Sequence, residues 1–527
     1  MRLDRVWIDG FRNLKDVSVD FDEARLTTVV IGQNGAGKSN LIEAIVDVFR
    51  FADINRGEPR FRYEVDYRIG AHRVRLSNRA GKAIVVADDE TLTRAAFERR
   101  RAELFPDLVF GYYSGANRRL ERLFDSHQRR YYDAIKINED ADACRAALKQ
   151  RGLFYCRPIH GAFALLSLFA FPDASVTRLL RDDLGVTGFH SALALLRKPW
   201  FANIPRKTWL SQAHQLWGAA GPAGACARLL RDSAFHPLAL EDKPLDDYRD
   251  KGESEAQFAC FLQKLDALKH FAQNYTNEQE LFYALEAVDI SDLIRDLYVW
   301  VTRVNDTAGD VSFGDLSDGE RQLLMVLGLI RMARGKRALF LLDEPDTHLN
   351  PLWQLGYLEK IQQWTAAAAD EKNCQLILTS HNPLTIAALQ KEEVRVMFVE
   401  ESGKVLVRAP YTDPRGMGFT ATLTEIFGLP SSLDIETQRQ LDERAELARK
   451  DQRSAEDEKR LIQINDELNR LGFMSEDREP LYQDFLRAWQ DVRYADRPPL
   501  TPEQIEKRHT AMKLLVKSLL AQKENVP

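Results

Sequence analysis

The sequence predicts an α/β fold built around a phosphate-binding loop, with a mainly helical domain inserted into it and a charged helical tail behind it. Three observations carry this prediction. The segment Gly32–Ser39 (GQNGAGKS) lies between the apolar run Thr27–Ile31 and the helix-forming Asn40–Ile45. Two further apolar runs, Ala338–Leu342 and Gln375–Leu378, lead respectively into Asp343-Glu344-Pro345 and into His381. Almost 280 residues separate Lys38 from Ser317, more than one compact nucleotide-binding domain requires.

The loop follows the G-x-x-x-x-G-K-[ST] pattern, and each residue type has a physical reason to be there. Glycines let the backbone turn tightly enough to aim several N–H groups, and the positive end of the next helix, at a triphosphate. Gly32, Gln33, Asn34, Gly35, Ala36, Gly37, Lys38, Ser39 and Asn40 therefore form the expected ATP cradle, in which Lys38 reaches the β- and γ-phosphates and Ser39 ligates Mg²⁺. The run ending at Asp343 has the form of a Walker B strand, which assigns Asp343 to Mg²⁺, directly or through water, and Glu344 to the attacking water as catalytic base. His381, at the end of a third apolar strand, completes the expected catalytic set of Lys38, Glu344 and His381. Each motif alone has an ordinary reading as a glycine turn, a helix entry or a solvated histidine. Their order and their strand contexts set them apart from those readings.

Upstream of the Walker B strand, Leu316–Gln322 (LSDGERQ) resembles the L-S-G-G-[EQ]-x-Q signature of ABC-type ATPases, with Asp318 in place of the first of the two glycines. The order of P-loop, signature, Walker B and switch histidine is also similar to that superfamily and unlike kinases or small GTPases. The resemblance implies that Ser317 and Gly319 cap the γ-phosphate bound to a second copy. The active unit would then be a head-to-tail homodimer, or a higher even-numbered oligomer, closed around two ATP molecules. On that view ATP favours the closed state only through its differential affinity for it, and hydrolysis withdraws the bias.

Whole-chain properties exclude several classes. With 73 basic and 79 acidic residues among 527, the net charge of −6 excludes a generally basic nucleic-acid coat, so any nucleic-acid contact is local or supplied by a partner. Five scattered cysteines without a C-x-x-C pair suggest neither a zinc site nor a disulfide framework and fit a reducing cytoplasm. The N-terminus lacks the layout of a signal peptide, and the longest apolar stretch, Gly161–Phe171, is about half of what a membrane span needs. A soluble cytoplasmic protein is expected.

Four regions are expected along the chain. Residues 1–90 form the N-terminal lobe of the ATPase head, with strands at Arg2–Ile8, Val17–Phe21, Phe61–Ile69, His72–Leu76 and Ala83–Ala87. Residues 91–300 form a mainly helical insert, whose frequent prolines from Pro106 to Pro244 exclude a long coiled-coil arm. Within it, Leu108–Phe110 leads through Tyr112–Asn117 into Arg118, Arg119, Arg122, Arg129 and Arg130. That stretch reads either as a phosphate or nucleic-acid contact near the head or as a solvated, ion-paired helix, and Arg99–Arg101 reads the same way. Residues 301–428 hold the C-terminal lobe. In residues 429–527, thirteen of the twenty residues from Leu441 to Arg460 are charged, and Leu461, Ile464, Leu468 and Leu471 follow at a/d spacing, the pattern of a helical hairpin with one apolar stripe. Gln128 is a candidate Q-loop glutamine by position alone.

Further segments sharpen the resemblance. Gly10-Phe11-Arg12-Asn13-Leu14 is similar to the opening of RecF/SMC-like and OLD-like ATPases, which implies a RecF/SMC-like head and adds Arg12 and Asn13 to the nucleotide contacts. Leu342–Pro351 paired with Thr379–Pro383 resembles the ATPases of bacterial anti-phage defence islands. Leu153–His160, with the charged tail after Thr424–Gly428, resembles the PtuA-type ATPases of Septu systems and of retrons that carry the Septu pair. This resemblance implies a sensor and scaffold working with a small HNH nuclease (PtuB-like) and, in retrons, with a reverse transcriptase and its RNA–DNA hybrid. Two rival readings stand beside it. One is a RecF-like repair ATPase, against which the lack of a strong basic stripe argues mildly. The other is an OLD-type ATPase-nuclease, for which Val396–Glu401 superficially fits; no D-x-D follows Glu400, and Glu401–Lys404 reads better as a hairpin turn.

Overall fold

The computed structural model describes residues 1–471 apart from 55–56, 137, 150, 200–201, 243–251, 253, 369–372, 430, 432 and 451–453, and beyond them residues 510–511. It divides into two compact units, Met1–Ser432 and Leu433–Pro527.

Among the described residues the first unit contains three sheets. Its first chain segment supplies β1 (Arg2–Asp9), β2 (Val17–Asp20), β3 (Thr27–Gly32), β4 (Arg62–Ile69), β5 (His72–Ser77), β6 (Ile84–Ala87) and β7 (Glu90–Leu92). Further on come β8 (Leu108–Tyr113), β9 (Leu153–Tyr155), β10 (Val186–Arg197), β11 (Leu238–Asp242), β12 (Glu255–Leu262), β13 (Ile294–Arg303) and β14 (Asp306–Ser312). The last are β15 (Ala338–Asp343), β16 (Cys374–Thr379), β17 (Val394–Val399) and β18 (Val405–Arg408). A seven-stranded central sheet has the order β18-β17-β3-β16-β15-β8-β9 and is parallel except for the β17–β18 hairpin. Every residue of β3, β15 and β16 is buried, as expected of parallel strands covered on both faces.

One face is covered by the helix Lys38–Ile54 and, beyond it, by the antiparallel sheet β2-β1-β4-β5-β6-β7. Leu41, Ile42, Ile45 and Phe49 of that helix share a core with Val6 and Ile8 of β1 and with Leu339, Leu341 and Ile377 of the central sheet. On the other face, Phe110 and Phe340 stack at 4.9 Å and join a second core with the helices Ile159–Ala170, Glu278–Ile290 and Asp318–Met332. This core continues into the antiparallel sheet β11-β12-β10-β13-β14.

The segment expected as a helical insert, residues 91–300, differs from that expectation in two ways. Its β8 and β9 are strands of the central sheet itself, and β10 to β13 build most of the five-stranded sheet. Helices fill the remainder; among the described residues none in the segment exceeds 13 residues. The cause of the misreading is local: Ala192–Leu196 (ALALL) consists of strong helix formers, yet it pairs with β12 on one side and β13 on the other.

Within the second unit, Ile435–Arg449 and Ala455–Arg470 form a helical hairpin. Leu447, Ile464 and Leu468 are its core, with Leu441 and Leu461 against them, and Arg460 donates to both oxygens of Glu443 at 2.7 and 2.8 Å. Leu471, expected on the apolar stripe, is instead exposed, since it lies one residue beyond the last helical turn. The remainder of the expected tail, apart from residues 510–511, lies outside the described residues.

Candidate nucleotide site

The site lies at the carboxyl ends of three adjacent parallel strands, β3, β16 and β15, where an open α/β sheet presents its loops to ligands. β3 delivers the loop Gln33–Gly37 and then the helix beginning at Lys38. Gly35 and Gly37 take positive φ values of 83° and 101°. At Gly37 a Cβ would also lie 2.8 Å from Asn13 Oδ1, so a larger residue would push Asn13 off the loop. Asn13 donates from Nδ2 to the Gly35 carbonyl at 2.9 Å and accepts from Asn40 Nδ2 at 2.7 Å. Arg12 donates to Asn40 Oδ1 at 2.8 Å and pairs with Glu43 at 2.6 Å. Arg12 and Asn13 thus brace the loop and the first turn of its helix.

Lys38 is buried and folds back along its own loop, with Nζ donating to the carbonyls of Gly32 at 2.8 Å and Gln33 at 3.3 Å. Burial lowers its pKa, and the nearby carboxylates of Glu344 and Asp343 oppose that shift. Ser39 Oγ donates to Asp343 Oδ1 at 3.1 Å, and Thr379 Oγ1 donates to the same oxygen at 2.5 Å. Burial raises the pKa of Asp343, and the Thr379 and Ser39 hydroxyls counter it. Glu344 follows with a φ of 54°, a rare conformation for a non-glycine residue, held by donation of its N–H to Thr379 Oγ1 at 3.0 Å. His381 Nδ1 lies 3.4 Å from Glu344 Oε1. Lys38, Ser39, Asp343, Glu344 and His381 therefore converge, although 343 positions separate the first from the last.

The hydroxyl of Ser39 beside the carboxylate of Asp343 is the oxygen donor set that Mg²⁺ prefers, and the glycine loop with its lysine suits a polyphosphate. These residues fit Mg·ATP. When bound, the metal neutralises phosphate charge and polarises the γ-phosphoryl group.

Ser317 and Gly319 lie elsewhere, at the start of the helix Asp318–Met332. Ser317 caps that helix through a reciprocal pair with Glu320, its Oγ accepting from Glu320 N–H at 3.3 Å. A Cβ on Gly319 would lie 2.8 Å from the His348 carbonyl, so the helix start packs tightly on the turn after Glu344. Gln322 links the same two segments, donating to the Glu344 carbonyl at 3.4 Å and accepting from His348 N–H at 3.3 Å.

Several neighbours of the site join these residues. Thr379 ends β16, and Asp346 lies in the turn beyond β15. Tyr113 feels the charges of Asp343 and Glu344, and Ser114 donates its N–H to the Asp343 carbonyl at 3.2 Å. Tyr113, the last residue of β8, and Ser114 after it are what this stretch brings to the Walker B turn; Gln128, the Q-loop candidate, lies on the helix Asp125–Ile135, beside His127, which is bound to Asp53 at 2.7 Å. The arginine-rich stretch is largely ion-paired: Arg118 with Glu121, Arg119 with Glu43, Arg129 with Asp133, and Arg130 with Asp53. Glu43 and Asp53 belong to the P-loop helix, so Arg119 and Arg130 anchor that helix.

Fold and site together define a mixed α/β P-loop fold of the AAA/ABC-like ATPase type. Two family models match the chain: one described as "AAA ATPase domain" over residues 1–99, and one described as "AAA domain, putative AbiEii toxin, Type IV TA system" over residues 176–387. Among curated proteins, the chain is similar to the Septu protein PtuA of Bacillus mycoides (strain KBAB4), 29% identical over 123 residues. That stretch covers 22% of this chain and 16% of the relative, so most of the relative's length has no counterpart in the match. Solved structures with a partial likeness include the Smc head domain bound to the C-terminal domain of ScpA from Pyrococcus furiosus (13% identity, TM-score 0.32, 77% of this chain and 96% of that one). The RecF–ATP structure is similar at 13% identity and a TM-score of 0.26, over 72% and 92% of the two chains. At such scores the likeness adds nothing to what the sheet order and the loop already establish. No helix among the described residues is long and apolar enough to cross a membrane.

Proposed function

We propose that this chain is the ATP-hydrolysing sensor and scaffold subunit of an anti-phage defence complex of Septu or retron type. Nucleotide-dependent pairing of its heads controls a partner nuclease of the HNH, PtuB-like class. In retron settings a reverse transcriptase with its RNA–DNA hybrid joins the complex.

The observation that carries the ATPase part is the convergence of Lys38, Ser39, Asp343, Glu344 and His381 on one strand-end surface. On binding ATP, Lys38 would turn from its loop carbonyls to the β- and γ-phosphate oxygens, and Ser39 and Asp343 would hold Mg²⁺. Glu344 orients the attacking water, with His381 beside it. The strained backbone of Glu344, fixed by Thr379, aims its carboxylate without further rearrangement. Ser317 and Gly319, at a helix N-terminus that favours anions, complete the γ-phosphate pocket of a second copy. The defence part is supported by the partial PtuA similarity and by the description of the family model over residues 176–387.

The test is direct. Lys38→Ala abolishes nucleotide binding, whereas Glu344→Gln retains ATP and lowers turnover by about 100-fold or more. A Glu344→Gln chain that turns over ATP at the wild-type rate would remove Glu344 from the role of base. For the partner, a small nuclease co-purifies with the wild-type chain expressed with its neighbouring reading frames; absence of any nuclease would leave only the ATPase reading.

A further inference from the structure

Asp346 is two residues beyond Glu344, and its carboxylate is almost completely buried, at 1% exposure. Its partners are hydroxyls rather than a cation: Ser380 Oγ donates to Oδ2 at 2.6 Å, and Thr385 Oγ1 donates to the same oxygen. Burial raises its pKa, the Ser380 and Thr385 hydroxyls oppose that, and the nearby His381 acts in the same direction as the hydroxyls. Burying a carboxylate without an arginine or lysine is costly, so its position needs a reason beyond stability.

The geometry gives one. Ser380 Oγ also accepts from Asn382 N–H at 2.9 Å, and Ser380 N–H donates to the Val30 carbonyl of β3 at 3.1 Å. His381 is therefore the middle residue of a turn whose two flanks are pinned. One pin is the strand that feeds the P-loop; the other is the carboxylate following Glu344. Asn382 in turn caps the short helix Pro383–Ile386 by accepting from Leu384 N–H at 2.9 Å, and Thr385 in that helix closes back on Asp346.

We propose that Asp346 is a positioning residue that fastens the His381 turn to the Glu344 turn, so that the two side chains flanking the γ-phosphate position move as one body. The inference rests on the hydrolytic roles of Glu344 and His381 proposed above. It predicts that both turns adopt the hydrolytic geometry together, and that neither reaches it when the link is cut.

Four variants test it: Asp346→Asn, Ser380→Ala, His381→Ala and the double Asp346→Asn/His381→Ala, each assayed for ATP turnover, fluorescent-ATP affinity and thermal midpoint. Asp346→Asn should lower kcat by about 100-fold, the loss expected from displacing a catalytic group by an ångström. Its nucleotide affinity should stay within about twofold of wild type. The double variant should be no slower than His381→Ala alone, because the effects of residues acting through one another do not add. Ser380→Ala removes the hydroxyl that joins Asp346 directly to the residue before His381, leaves that of Thr385 in place, and should reproduce the loss of kcat in a folded chain, which keeps the test decisive if Asp346→Asn fails to fold. Wild-type kcat in both Asp346→Asn and Ser380→Ala would overturn the proposal, as would multiplying defects in the double variant. Failure of the underlying reading looks different: ATP turnover would then be insensitive to Lys38→Ala and Glu344→Gln as well.

Discussion

At the residue scale, two kinds of side chain hold the site, and only one is legible in sequence. Lys38, Ser39, Asp343, Glu344 and His381 stand out because each belongs to a short pattern whose chemistry is local. Thr379, Asp346 and Tyr113 lie inside segments the sequence singles out but receive no role there, because their value lies in what the fold brings to them: Thr379 is a hydroxyl in an apolar strand until Asp343 and Glu344 are placed against it. Anchors farther out follow the same logic. Asp173 caps the helix Ala174–Leu184, accepting from Ser175 N–H at 2.9 Å and Val176 N–H at 3.2 Å, and its second oxygen meets buried Arg331 at 3.2 Å. Arg331 sits in the last turn of the helix that Ser317 caps and is shared with Glu278 at 3.0 Å. The Ser175 hydroxyl, the backbone N–H groups and Arg331 pull the Asp173 pKa down to about 2 despite some desolvation. A folded-state pKa below the unfolded value means that the contribution is fully present above pH 4 and is lost as pH falls toward 2. Asp173→Ala should therefore lower stability at pH 7 by about 1–2 kcal/mol, the scale of a lost N-cap. In denaturant titrations the gap from wild type should close between pH 4 and pH 2; a gap independent of pH would mean that the carboxylate charge contributes nothing.

At the scale of elements, close approach rather than propensity decides the arrangement. The helices Ile159–Ala170 and Asp318–Met332 cross where small residues face each other. A Cβ on Gly328 would lie 2.6 Å from the Ala164 Cβ, and one on Gly161 would lie 2.5 Å from Phe313 and 2.7 Å from Met325. Gly328→Ala overpacks this crossing and should cost about 1–3 kcal/mol. Because the helix that moves is the one carrying Ser317 and Gly319, ATP hydrolysis should fall more than ATP binding to the P-loop, measured as kcat against nucleotide affinity. Equal falls in both would place the damage in the loop instead. The sequence foretold the strands that feed the site, since Thr27–Ile31, Ala338–Leu342 and Gln375–Leu378 are short apolar runs with polar ends. It did not foretell that β8 and β9 complete the same sheet, or that β10 is a strand: Ala192–Leu196 has helical propensity, and only its pairing partners, far along the chain, override it.

At the scale of the whole molecule, the unit Met1–Ser432 carries a P-loop with its Walker B turn and, at the start of another helix, the segment that holds Ser317 and Gly319. The P-loop and the Walker B turn converge, whereas Ser317 spends its hydrogen bonds on Glu320 at the start of its own helix. Gly319 and Gln322 pack tightly on the turn after Glu344, so in the proposed pairing a γ-phosphate gripped by Ser317 of one copy would be coupled to Glu344 of that same copy. This yields a prediction that separates cooperation between copies from independent action. Lys38→Ala leaves the signature half intact, and Ser317→Arg leaves the loop half intact while blocking its reach into a partner. Each homodimer has two defective composite sites. The mixed dimer pairs the intact loop of the Ser317→Arg copy with the intact signature of the Lys38→Ala copy, restoring one site and spoiling the other twice over. Mixing the two inactive chains in equal amounts should therefore recover ATP turnover, up to about a quarter of the wild-type rate if dimers form at random and the sites fire independently. Recovery should rise with total protein concentration, because it depends on encounter. A mixture as inactive as either parent at every concentration, with both chains shown to dimerise, would mean that the signature residues serve their own copy and that the pairing of heads is not what completes the site.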